Sequence, residues 1–89
     1  MQPLYVYISA SCLICQHTQQ LVASLRELRP GYAIILIDLD QPESRKPPFV
    51  FGTPTYVLAG RIVSLGNPAL QRLVQLLDRE SASTVMHEL

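Results

Sequence analysis

The sequence has no tryptophan, only two cysteines and four glycines, and no excess of either charge. Seven lysines and arginines stand against seven aspartates and glutamates, and the sequence pI is about 6.7. A chain without a basic stripe offers little to a phosphate backbone, which argues against nucleic acid as a partner. No apolar run approaches the length that crosses a bilayer; Ala33–Ile37 is broken by Asp38, so no membrane span is expected. Met1-Gln2-Pro3-Leu4 lacks the charged start and the apolar stretch of a secretory leader. A cytoplasmic protein is therefore expected. With two cysteines only three positions apart, a purely structural staple is also a poor explanation, because so short a loop constrains the unfolded chain little.

What the sequence does contain is a globular composition, 48% hydrophobic and 16% charged over 89 residues. That length makes one domain, expected over residues 1–79, with 80–89 as a flexible tail. Leu4-Tyr5-Val6-Tyr7-Ile8 is rich in β-branched and aromatic residues and reads as a strand covered on both faces. After the polar turn Ser9-Ala10-Ser11, apolar residues recur at helical spacing from Leu13 to Leu28, and Pro30-Gly31 stops that helix. Tyr32–Leu39 reads as a second buried strand, and residues 40–48 as a proline-rich connection. Thr55–Leu58 and Arg61–Leu65 form a hairpin about Ala59-Gly60. Asn67 is expected to cap a last helix that opens on Pro68 and ends near Arg79. The fold class is thus α/β, a minimal βαββα unit with a mixed four-stranded sheet and helices on its faces. Its first two strands are parallel through a right-handed crossover.

Cys12-Leu13-Ile14-Cys15 falls where the first strand gives way to the first helix. With Cys12 near the N-cap, Cys15 lies one turn on and on the same side, so the two thiols can close a disulfide with little backbone movement. The helix N-terminus favours a thiolate over a thiol. Position then makes Cys12 the exposed nucleophile and Cys15 the resolving thiol, and the chemistry is thiol–disulfide exchange. Free cysteine is also among the most buried residue types, so the pair could instead be packing. A zinc site needs four ligands, and only His17 and His87 could join the thiolates, or a second chain could share the metal. His17 is expected at the surface. Phe49-Val50-Phe51 could contact a protein substrate or pack under the sheet.

With Cys-x-x-Cys after the first strand and Gly52-Thr53-Pro54-Thr55 before the third, the chain resembles the thioredoxin and glutaredoxin superfamily. Ile37-Asp38-Leu39-Asp40-Gln41-Pro42 and the hairpin Tyr56–Val63 extend the likeness, which covers Leu4 to Arg79. The resemblance implies a thioredoxin-like fold and a dithiol oxidoreductase. It also implies a cis Pro54 facing the cysteines and a Thr53 backbone that pairs with an incoming peptide. Cys12 and Cys15 are then the catalytic residues, and Thr53 and Pro54 bind substrate. No cofactor or metal is called for, and the partner is a disulfide-containing protein or a small thiol such as glutathione.

The departures are specific. Ser11 stands where thioredoxins carry tryptophan, Leu13-Ile14 replaces glycine-proline, and Val6 replaces the buried aspartate six residues before the first cysteine. The glutathione loop and the glycine-aspartate pair of glutaredoxins become Gly52-Thr53-Pro54 and Gly66-Asn67. Asn67 and the N–H groups it caps could still hold a carboxylate. The alternative to an enzyme is a thioredoxin-fold module that binds a partner or senses redox state without turnover.

Overall fold

Leu4, Val6 and Ile8 alternate with Tyr5 and Tyr7, and that period of two builds strand β1 (Leu4–Ile8), whose two faces meet different neighbours. The computed structural model describes residues 2–10 and 12–87. Along the chain follow α1 (Cys15–Leu28), β2 (Ile34–Asp38), β3 (Thr55–Leu58), β4 (Arg61–Leu65) and α2 (Leu70–His87). The order is βαβββα, one strand more than the label βαββα counts. The four strands form a single mixed sheet in the order β2-β1-β3-β4. β1 and β2 run parallel with Leu4 opposite Ile34, whereas β3 is antiparallel to β1 with Tyr7 opposite Thr55. At the β3–β4 turn both Ala59 (φ 52°) and Gly60 (φ 76°) are left-handed. That geometry lets a two-residue loop follow the twist of its strands.

Both helices lie on one face of the sheet, not on opposite faces. Val22 and Leu25 of α1 and Leu73, Leu76 and Leu77 of α2 share one core with Leu4, Val6, Ile8, Tyr56 and Leu58. The far face carries no helix among the described residues. Tyr7 and Val57 are covered there by Val50, which reaches up from the 40–54 connection, with Tyr5, Ile37 and Leu39 around them. A loop residue thus does the work that a second helical layer would do, and β1 is covered on both faces by unlike means. The segment 40–48 makes turns but no helix.

Helix ends also differ from the periodicity reading. α1 opens at Cys15 with Ile14 as its N-cap, so Cys12 lies two residues before the cap and outside the helix. α2 opens at Leu70, with the Ala69 carbonyl accepting from the Arg72 and Leu73 amides. It runs on through residues 80–87 instead of ending near Arg79. The expected tail is therefore largely helical; its last two residues, like Ser11 of the first turn, lie outside the described residues. The Arg29 guanidinium donates two bonds to the Asp78 carboxylate, at 2.7 and 2.8 Å, and ties the end of α1 to α2. No helix among the described residues is long and apolar enough to cross a membrane.

Candidate functional site

The strand-to-helix junction is a tight pair of turns. The Cys12 amide donates to the Ser9 carbonyl at 3.2 Å, and the Cys15 amide donates to the Cys12 carbonyl at 3.2 Å. This folding of the chain on itself brings the cysteine Cα atoms to 5.3 Å, and Cys12 and Cys15 form a disulfide. Their surroundings differ. Cys15, the first residue of α1, is only 3% exposed and sits among the apolar residues of the main core. Cys12 is half-buried at the open end of the pair. Val6, at the place where the resemblance sets an aspartate, is fully buried in that same core.

A second loop comes alongside. Pro54 is fully buried and the Thr53–Pro54 peptide bond is cis. Thr53 is half-buried, and its hydroxyl lies 3.0 Å from that of Ser9, the residue that opens the cysteine turn. The Thr55 hydroxyl donates to the Gly52 carbonyl at 2.5 Å and closes the loop on itself. On the opposite side of the cysteine turn, the Ala10 amide donates to the Asp40 carboxylate. All four residues singled out from the sequence, Cys12, Cys15, Thr53 and Pro54, therefore border one region.

The residue that the sequence assigned to the wrong task is Asn67. It does not cap α2, which begins three residues later. Its Nδ2 donates to the Ile14 carbonyl at 3.1 Å, inside the Cys12–Cys15 segment. Its Oδ1 accepts from the Thr18 hydroxyl at 2.6 Å and from the Tyr56 hydroxyl at 2.9 Å. Next door, the Gly66 amide donates to the Pro54 carbonyl at 2.9 Å. Two consecutive residues thus fasten the cysteine loop and the proline loop to each other. Burial pushes the Tyr56 hydroxyl up to about 12, with the neighbouring Thr18 hydroxyl acting in the opposite direction.

Around this polar knot the surface is apolar. Leu13 is 96% exposed and Ile14 is 52% exposed, although both lie between the cysteines. Phe51 is 90% exposed and Leu65 is 73% exposed. Phe49, Phe51, Thr53, Pro54, Ile62 and Leu65 line a cavity of about 380 Å³, and among the described residues no charged side chain lines it. The Phe49-Val50-Phe51 run therefore divides: Val50 packs under the sheet and Phe51 stands out at the rim. His17 is exposed on α1. Among the described residues, no group of three or more His, Cys, Asp or Glu is placed to hold a metal ion.

Reducing the disulfide should leave the fold standing. The bond closes a loop of four residues, for which the chain-entropy relation gives about 2 kcal/mol. For a domain of this size that corresponds to a fall in Tm of roughly 8–16 °C. Far-ultraviolet circular dichroism at 25 °C should be unchanged by a dithiol reductant, with the cooperative melt retained at lower temperature. Loss of the cooperative melt would show the bond to be a staple after all.

No known protein-family model matches this chain, and no curated protein matches it either.

Proposed function

We propose that the protein is a thiol–disulfide oxidoreductase of thioredoxin-like fold, acting on polypeptide disulfides with apolar flanks. The observation that carries this is the closed Cys12–Cys15 pair at the start of α1, with one sulfur at the open end and the other buried. Support for the fold comes from the parallel β1–β2 pair, the antiparallel β3–β4 hairpin, and the Pro54 loop leading into β3 beside the cysteines.

In the reducing direction, the Cys12 thiolate attacks one sulfur of the substrate disulfide. A mixed disulfide forms and one substrate thiolate leaves. Cys15 then attacks the Cys12 sulfur, the second substrate thiolate departs and takes up a proton, and the Cys12–Cys15 disulfide closes. Two electrons have passed to the substrate, and a dithiol reductant restores the pair by the reverse exchange. In the oxidising direction the closed pair accepts electrons from a substrate dithiol by the same steps.

The choice of a polypeptide over glutathione rests on the rim. The residues lining the cavity carry no charge, so the carboxylates and ammonium of glutathione would find no partner there. Leu13, Phe51 and Leu65 can instead cover apolar side chains beside a substrate cysteine.

The test compares wild type with Phe51→Ser/Leu65→Ser on two substrates, a protein disulfide with apolar flanks and a glutathione mixed disulfide. A full apolar contact is worth about 1.5–3 kcal/mol per side chain, so the double variant should lose about tenfold or more in kcat/KM on the protein disulfide. Turnover of the glutathione substrate should be slower than of the protein and unaffected by the substitutions. Preference for glutathione would overturn the substrate class. A pair that does not interconvert reversibly in glutathione or dithiothreitol buffers would overturn the activity itself.

A further inference from the structure

We infer that Asn67 is a positioning residue that sets the redox potential of the Cys12–Cys15 pair, by tethering the peptide between the two cysteines to the sheet. The inference rests on the proposed exchange activity and concerns a residue that does not touch the sulfurs in that chemistry.

The geometry behind it is a three-way junction on one side-chain amide. Nδ2 of Asn67 donates to the Ile14 carbonyl. Oδ1 accepts from Thr18 in the first turns of α1 and from Tyr56 in β3. Thr18 and Tyr56 are both fully buried, so neither hydroxyl can exchange Asn67 for bulk water without cost. With both lone pairs of Oδ1 occupied, the amide plane is fixed and Nδ2 is aimed at Ile14. No other residue of the described chain joins these three elements through one side chain in this way: the cysteine segment, the first turns of α1, and the central strand β3.

That tether matters because Ile14 is unlike its surroundings. Its side chain and that of Leu13 are largely in solvent, so apolar packing does little to hold the segment between the cysteines. Its carbonyl bond to Asn67 is the tie to the sheet, besides what it accepts within α1 from the Thr18 amide at 3.2 Å and the Thr18 hydroxyl at 3.3 Å. When the disulfide is open, the tether keeps the segment in the turn that brings the Cα atoms to 5.3 Å. The two thiols then face each other at high effective concentration, which favours ring closure. Without the tether the dithiol relaxes while the disulfide, held by its own covalent bond, relaxes less. The equilibrium moves toward the dithiol, so the pair becomes the stronger oxidant.

The test measures the midpoint potential of the wild type, Asn67→Ala and Asn67→Asp in glutathione and dithiothreitol buffers, with thermal melts of each oxidised form alongside. Asn67→Asp keeps an oxygen for Thr18 and Tyr56 but puts an acceptor where Nδ2 donates, so it removes the tether while leaving those two hydroxyls their partner. Both variants should raise the midpoint, with a three- to tenfold fall in the equilibrium constant for disulfide formation; tenfold is about 30 mV for this two-electron couple. Val22→Ala, which opens core space under the same helix, should lower Tm and leave the midpoint where it was.

If Asn67 were only a structural residue, both Asn67 variants would melt earlier, like Val22→Ala, with an unchanged midpoint; that result overturns the inference. A fall in the midpoint would overturn it too. Failure of the wild-type pair to interconvert reversibly is a separate outcome, which removes the functional proposal and this inference together.

Discussion

Exchanging Cys15 for alanine should convert a turning-over protein into a covalent trap. In the proposed sequence the mixed disulfide at Cys12 is resolved from within, and Cys15 is the group that resolves it. Cys15 is only 3% exposed whereas Cys12 is half-buried, so an incoming substrate reaches Cys12 and not Cys15. Removing Cys15 leaves the first attack intact and deletes the second. The expected result is less than one turnover per protein and a stable adduct of one substrate per chain, seen as a mass increase that a reductant reverses. Alanine is the better replacement here than serine, because position 15 is packed among Leu4, Val6, Ile8, Val22 and Leu25. A hydroxyl buried there without a partner costs about 1–3 kcal/mol. Cys12→Ser should form no adduct at all and exchange no faster than the buffer. Equal adducts on both single variants would mean that the buried sulfur is reachable, and the division of roles would fall.

Much of this arrangement can be read from the chain. The period of two in Leu4–Ile8, the helical spacing of Val22 and Leu25, and Pro30-Gly31 as a stop place β1, α1 and the crossover. The cysteines at that junction are equally plain, because their spacing and the change of periodicity coincide. What escaped the reading was long-range. Apolar residues on both faces of β1 show that both are covered but not by what, and a single Val50 inside a polar, proline-rich connection gives no signal that it plugs one of them.

Asn67 next to Pro68 carries the local signature of a helix cap. Its actual partners, Thr18, Tyr56 and Ile14, lie 49, 11 and 53 positions away, and no local pattern reveals them. The end of α2 has a more local cause. The run after Arg79 keeps Ala82, Val85 and Met86 at helical spacing and holds no glycine or proline, so nothing stops the helix before His87. Phe49-Val50-Phe51 is legible as an apolar stretch of loop, but which of its side chains stands at the rim is decided by the turn that buries Val50.

Raising the pH from 10 to 12 should destabilise the protein sharply, and the cause lies in two buried tyrosines. Burial, with the Glu80 carboxylate as the lesser cause, pushes the Tyr32 hydroxyl up to about 12. Burial does the same to Tyr56, again to about 12. In the unfolded chain both ionise near the usual value of about 10. Below pH 10 both groups are protonated in either state and their contribution to stability is fully present. Above it the unfolded chain ionises first, and stability is lost progressively until the folded groups follow near pH 12. At 1.36 kcal/mol per unit, a shift of about two units amounts to at most about 3 kcal/mol for each tyrosine. Two such losses are comparable with the whole stability expected of a domain this small, roughly 5–10 kcal/mol. The circular-dichroism signal and the tyrosinate absorbance should therefore change together in that window. Tyr56→Phe should shift the transition to higher pH while lowering stability at neutral pH by about 1 kcal/mol through the lost hydrogen bond. Ionisation near pH 10 with the fold intact would show that the hydroxyls are not held as described. The same hydroxyl donates to Asn67 Oδ1, and in the folded protein it ionises only near pH 12. The junction holding Ile14 therefore keeps its tyrosine donor until the fold as a whole gives way.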